Sequence, residues 1–178
     1  MPSFTFTGPY GDIECVVNNY KLNDVVLIMA HGFRGSRDGG GRSTAFAKLA
    51  EGVCKVVRFN FNGSQILSRQ VEELQAVISA VREQYNPEKL FLLGRSLGGA
   101  ASMITASRDE NIDGLILWAT PNDLRKTFLN ALGDELYKKL DAGETLHLED
   151  ERGKMDFRDG ILRIVLKADP YIDQTLTY

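Results

Sequence analysis

Residues 89–101 constrain the fold of this chain more than any other part of its sequence. Residues 90–93 are an apolar run that ends at Gly94, and Ser96 follows between Gly94 and Gly98. The G-x-S-x-G pattern, with small residues continuing beyond it, predicts a strand, a sharp turn and a close-packed helix. A turn this tight holds its serine in strained backbone angles, so small residues are needed two positions to either side.

This turn also indicates chemistry, because it lifts the Ser96 hydroxyl clear of the sheet at the N-terminus of the next helix. Backbone N–H groups and the helix dipole favour a developing oxyanion there. Residues 31–33, His-Gly-Phe, follow another apolar run at residues 25–30. On these residues the chain resembles the α/β-hydrolase superfamily, and within it the small serine esterases, dienelactone-hydrolase-like proteins and serine aminopeptidase-like acyl hydrolases. The resemblance extends from about Phe4 to the end of the chain, and it implies a positive φ at Ser96.

Length, charge and composition argue against several classes of protein. A length of 178 residues favours one domain, and a net charge of −3 without a basic run argues against a nucleic-acid-binding surface. The sequence shows no leader peptide and no apolar run of about 18 residues, which argues against a membrane partner. Cys15 and Cys54 lie in apolar runs and are expected to be buried free thiols, so we expect a cytoplasmic protein.

Apolar runs alternate with helical periodicity along most of the chain, which predicts right-handed crossovers and a largely parallel sheet. Phe4 and Phe6 begin an N-terminal antiparallel hairpin, and Ser43 is expected to cap a short helix that carries Phe46, Leu49 and Ala50 inward. The predicted hairpin strands are residues 4–7 and 13–17, the predicted buried strands are residues 25–30, 53–61, 90–93 and 114–120, and the predicted long helix is residues 67–85.

The resemblance implies a three-layer α/β-hydrolase sheet of about six strands in residues 1–121 and a cap-like segment in residues 122–178. Leucines and a phenylalanine recur every four residues over residues 124–140, which predicts one or two amphipathic helices interrupted at Gly133. Apolar and polar residues alternate before and after a turn at residues 149–153, which predicts a small hairpin. Residues 161–168 fit a strand or a helix, and the cap resemblance favours the helix.

A serine hydroxyl needs a base at neutral pH, normally a histidine that a carboxylate orients. In the superfamily the acid and then the histidine follow the serine in sequence, so the resemblance implies that the strands carrying them are missing from this chain. It assigns His31 to support of the oxyanion loop. His147 is the one histidine downstream of Ser96. A surface role for it and a non-standard triad with Asp123 or Asp169 both remain open.

The resemblance assigns the oxyanion donors to the backbone N–H groups of Leu97 and Phe33, and it places Arg95 among solvated or cap-contacting side chains. No cofactor is implied, and no metal is expected, because neither histidine has a Cys or His partner at ligand spacing.

The implied function is hydrolysis of a small-molecule carboxylic ester through Ser96. The alternative is a truncated, non-catalytic protein of the same fold that needs a partner or a missing C-terminal part. In either case the strand at residues 115–119 is expected at a sheet edge, because its usual neighbour is missing. Apolar edges tend to pair with other chains, which predicts a homo-oligomer through that edge.

Overall fold

In the part of the chain that the structure describes, six strands form one sheet in the order β1-β2-β4-β3-β5-β6. The computed structural model describes residues 2–19, 21–22, 24–62, 66–150 and 153–157. Within them the sheet strands are β1 (Ser3–Gly8), β2 (Gly11–Asn18), β3 (Val25–Ala30), β4 (Lys55–Phe59), β5 (Lys89–Arg95) and β6 (Gly114–Trp118). The β1–β2 and β2–β4 pairs are antiparallel, and the pairs β3–β4, β3–β5 and β5–β6 are parallel. The predicted mostly parallel sheet with an N-terminal hairpin is confirmed.

Among the described residues, three α-helices accompany the sheet, α1 (Arg42–Ala50), α2 (Leu67–Tyr85) and α3 (Leu97–Ala106), and a short 3-10 helix at Gly39–Gly41 precedes α1. The bounds of α2 match the sequence prediction, because its apolar residues recur at spacings of three and four along one face. The α1 helix packs against a cluster that includes Leu27, Met29 and Leu93 on one face of the sheet. The strand residues that alternate with them, such as Ile28 and Leu92, are fully buried on the other face.

Three expectations about α1 and β6 are wrong. Ser43 does not cap α1, because the helix begins at Arg42 with Gly41 in the capping position, and Leu49 is 84% exposed rather than directed inward. The β6 strand is not buried: Ile116 and Leu117, which face opposite sides of the sheet, are 45% and 46% exposed. In the described sheet β6 is an edge strand, as predicted.

The chain divides into two units, Met1–Thr120 and Pro121–Tyr178. In the second unit α4 (Leu124–Leu132) and α5 (Asp134–Asp141) form the two predicted amphipathic helices, which meet at Gly133. The strands β7 (Leu146–Asp150) and β8 (Gly153–Phe157) form the predicted antiparallel hairpin. That this unit serves as a cap stays a prediction, and the alternatives for residues 161–168 fall outside the described residues.

Cys15 and Cys54 are buried free thiols, as expected. Among the helices of the described residues, none combines the length and the apolar character needed to span a membrane.

Candidate active site

A sharp corner joins β5 to α3 at Ser96. The serine has φ 52° and ψ −122°, and the helix begins at the next residue, Leu97. The positive φ that the resemblance implies at Ser96 is confirmed. A residue with a Cβ rarely adopts this conformation, which costs about 1–3 kcal/mol and is found mostly at functional sites. The corner thus places the Ser96 side chain at the carboxyl end of the parallel strands, where ligands of such sheets bind.

Glycines are required around the corner because backbone atoms approach one another closely. A Cβ on Gly94 would meet the Cα of Gly99, and a Cβ on Gly98 would meet the carbonyl oxygens of Ala30 and His31. These contacts press α3 against the ends of β3 and β5. The two small positions of the motif are therefore explained by helix–sheet packing as well as by the turn itself.

The end of β6 supports the corner from the other side. The Ser96 N–H donates to the Trp118 carbonyl at 3.0 Å, and the Thr120 hydroxyl donates to the Gly94 carbonyl at 3.4 Å. Between them Ala119, like Ser96, has a positive φ, of 50°. The G-x-S-x-G motif does not predict this support. The available signal was the extra glycine at position 99, where any Cβ would collide with the Thr120 side chain.

His31 holds the loop that follows β3. Its Nε2 accepts a hydrogen bond from the Phe61 N–H at 3.2 Å, so its Nδ1 carries the proton and donates to the Gly32 carbonyl at 2.9 Å. Burial lowers the pKa of His31, which keeps the ring neutral. Because backbone groups engage both ring nitrogens, His31 is unsuited to act as a base.

The Gly32 carbonyl also accepts from the Gly35 N–H at 2.9 Å, so two donors fix the Gly32–Phe33 peptide unit. In a trans peptide the N–H points away from the carbonyl, which directs the Phe33 N–H to the opposite side. Gly32 itself packs against the corner, since a Cβ there would lie 2.8 Å from the Ser96 Cβ. Leu97 is the first residue of α3, a position whose N–H has no acceptor within the helix.

The other sequence candidates lie in the second unit. Asp123 caps α4 by accepting the Lys126 N–H at 2.9 Å. His147 is exposed on β7 opposite Asp156. Asp169 falls outside the described residues. The structure therefore brings together Ser96, Leu97 and the loop of Phe33, while the assignment of an acid and a base stays a prediction.

Comparison with protein families gives a match to the family described as serine aminopeptidase, S33, over residues 62–177, which is more than half of the chain. The quorum-quenching protein AidA of Acinetobacter baumannii is 30% identical over 122 residues, which are 59% of this chain and 40% of that protein. The chain thus spans well under half the length of this curated relative.

Solved structures share the fold. XC6422 from Xanthomonas campestris, described as an α/β serine hydrolase without a lid, is 26% identical with a TM-score of 0.61, over 69% of this chain and 62% of that one. Est1E from Butyrivibrio proteoclasticus is 15% identical with a TM-score of 0.76, over 98% of this chain and 72% of that one.

Proposed function

This chain belongs to the serine aminopeptidase S33 family within the α/β-hydrolase superfamily, and on that premise we propose that it hydrolyses carboxylic esters with Ser96 as nucleophile. The observation that carries the proposal is the backbone of Ser96, held at φ 52° directly before the first turn of α3. Such a corner presents the hydroxyl to a substrate at the end of the sheet. Ester rather than amide substrates are proposed because an ester has the better leaving group.

In the proposed reaction the Ser96 oxygen attacks the ester carbonyl carbon, and the carbonyl oxygen becomes an oxyanion. The N–H groups of Leu97 and Phe33 would donate to that oxygen, since both belong to backbone fixed before the substrate arrives. Donors of this kind contribute about 10²–10³ in rate each. The bond between the acyl carbon and the alcohol oxygen then breaks, and the leaving alkoxide takes up a proton. Water adds to the acyl group on Ser96, the bond to the serine oxygen breaks, and the acid leaves with the Ser96 hydroxyl restored.

The mechanism also requires a base that accepts the Ser96 proton, and two alternatives exist for it. His31 is engaged through both ring nitrogens. Either His147 completes a non-standard triad with Asp123 or Asp169, or the chain by itself retains only the rate that binding and the oxyanion donors supply. That residual rate is about 10³–10⁴ over water in enzymes whose triads have been removed.

The first of two measurements tests Ser96 as the nucleophile. The chain is treated with a fluorophosphonate and digested, and mass spectrometry should locate the adduct on Ser96. Turnover of 4-nitrophenyl butyrate should disappear in Ser96→Ala and persist in Ser79→Ala, a matched change on the exposed face of α2. Failure of Ser96→Ala to lower turnover, together with an adduct elsewhere, would overturn the assignment.

The second measurement is the pH–rate profile of the chain and of His147→Ala. If the chain by itself retains only the residual rate, the profile lacks an inflection near pH 6–7, where a catalytic imidazole titrates, and His147→Ala leaves it unchanged. Robust turnover with such an inflection that His147→Ala removes would establish the non-standard triad.

A second candidate function is that of a non-catalytic partner-binding protein of the same fold. It is favoured by the exposed apolar residues Ile116 and Leu117 on the edge strand β6. Absence of any adduct on Ser96, combined with self-association that a charged residue on β6 abolishes, would support it over hydrolysis. In either function the buried free thiols support the reducing cytoplasm as the compartment.

A further inference from the structure

An acidic side chain lies on the buried face of α2, among apolar residues. Glu73 is fully buried, whereas its neighbour Glu72 is exposed. The same face carries Leu74 and Val77, which are also fully buried. Burial raises the pKa of the Glu73 carboxyl, because it disfavours the charged form. A buried polar group carries this cost in a folded protein when a specific partner binds it.

A partner of Glu73 is the backbone that follows β4. The Glu73 Oε1 accepts a hydrogen bond from the Asn62 N–H at 3.0 Å. The preceding N–H along the chain, that of Phe61, donates to the His31 Nε2 at 3.2 Å. Only the two backbone dihedrals of Phe61 separate these N–H groups, so an acceptor that holds the second also restricts the first.

The Phe61 side chain contacts the same histidine. Its buried ring lies 5.0 Å from the His31 ring and 4.8 Å from the Phe59 ring between centroids, in both cases edge to face. Phe61 therefore contacts His31 through its backbone and through its side chain. A shift of this segment would move the imidazole with it.

The His31 ring connects this segment to the loop that follows β3. Its Nδ1 donates to the Gly32 carbonyl at 2.9 Å, and that carbonyl belongs to the peptide unit that carries the Phe33 N–H. The imidazole is rigid, so a bond that holds Nε2 also sets the direction in which Nδ1 donates. The position of the proposed oxyanion donor therefore depends on where the backbone of residues 61–62 is held.

We propose that Glu73 is a positioning residue for the hydrolysis of esters, because it holds His31 and thereby the Phe33 N–H in place. This inference rests on the proposed function and adds to it a residue remote from the substrate. The contribution of Glu73 is a fixed acceptor atom, so Glu73→Gln, whose amide oxygen also accepts, should preserve it. Glu73→Leu and Glu73→Ala remove the acceptor. The N–H of Asn62, an exposed residue, then turns toward water.

The first measurement needs no substrate. The chain has two histidines, so the imidazole nitrogen signals that persist in His147→Ala belong to His31. At about pH 8.5, where imidazoles are neutral, long-range ¹H–¹⁵N spectra of the parent should show a protonated Nδ1 and a bare Nε2. Glu73→Leu and Glu73→Ala should mix the two tautomers, which moves the two nitrogen shifts toward each other. Glu73→Gln should resemble the parent, as should Glu83→Leu, which changes an exposed glutamate of the same helix.

The second measurement is the rate at which a fluorophosphonate labels Ser96, followed over a range of probe concentrations. The phosphoryl oxygen gains charge as the serine oxygen attacks phosphorus, and fluoride leaves. Glu73→Leu and Glu73→Ala should lower the maximal rate by about 10- to 100-fold, less than complete loss of a donor would. The half-saturating concentration should change little, since the contact to the oxyanion strengthens only in the transition state. Glu73→Gln should recover most of the lost rate, and Glu83→Leu should be labelled as the parent is.

Urea unfolding of each variant establishes that the labelled protein is folded. Unchanged His31 tautomers in both Glu73→Leu and Glu73→Ala would overturn the proposal, as would unchanged labelling of Ser96. Equal losses in Glu73→Gln and Glu73→Leu would also overturn it, because they exclude the role of acceptor. If the parent itself is not labelled, the proposed function fails and the positioning role fails with it. If the parent is labelled and only the Glu73 variants disagree, the proposed function stands without Glu73.

Discussion

The strained corner at Ser96 leads to a stability difference between two variants that both lack the hydroxyl. Ser96→Ala keeps a Cβ at φ 52°, whereas Ser96→Gly removes it. Relief of strain at such a position is worth about 1–3 kcal/mol, and the extra freedom of glycine in the unfolded chain offsets about 0.5–1 kcal/mol. We therefore expect Ser96→Gly to unfold with a free energy about 1 kcal/mol higher than Ser96→Ala.

The control is the same pair of changes at Ser79, in the interior of α2 and exposed. There glycine should be about 1 kcal/mol less stable than alanine, because a helix interior disfavours it. Urea unfolding gives the four free energies, and a difference of 1 kcal/mol corresponds to a melting shift of about 2–4 °C for a chain of this size. If Ser96→Gly is no more stable than Ser96→Ala while the Ser79 pair behaves as expected, the strained-corner interpretation fails.

Three further predictions follow from other contacts. Gly99→Ala should lower the free energy of unfolding by about 1–3 kcal/mol in urea titrations, since its Cβ collides with Thr120, and Thr120→Gly in the same chain should restore part of it. Burial lowers the pKa of His31, so the unfolded chain binds its proton more readily; stability should be full above about pH 6.5 and fall as the pH drops below it, a component absent from His31→Asn. Leu117→Lys should reduce self-association in light scattering at high concentration, because Leu117 lies exposed on the edge strand; a parent chain that is already monomeric would contradict this.

Local patterns in the sequence predicted the secondary structure well where the residues of a single segment determine it. The α2 helix has apolar residues at helical spacing from Val71 to Val81, and the G-x-S-x-G corner needs its glycines for reasons internal to residues 94–99. In both cases the residues that define the element also make its principal contacts, so the sequence contains most of the necessary information.

Burial was predicted less well because it depends on what covers an element. The β6 strand is as apolar as β3, yet Ile116 and Leu117 are exposed while Ile28 is fully buried. The β3 strand lies between two other strands and under helices, whereas β6 is the last strand of the described sheet. Likewise Leu49 was predicted to point inward with Phe46 and Ala50, but α1 covers the sheet through Ala47 with Phe46 and Ala50 packed beside it, and Leu49 is exposed. A single sequence does not show which strands and helices lie beside or over a given element.

The candidate active site also depends on a neighbouring element that its own motif does not specify. Ser96 was identified from its own motif, but its position depends on β6: the Ser96 N–H is bound by the Trp118 carbonyl, and Thr120 binds the carbonyl of Gly94. The Trp118–Thr120 segment turns through the positive φ of Ala119 to make both contacts. These bonds join the corner at Ser96 to the edge strand of the described sheet. We therefore predict that pairing of another strand with β6 alters the backbone that positions Ser96, and so alters the hydrolysis proposed for it.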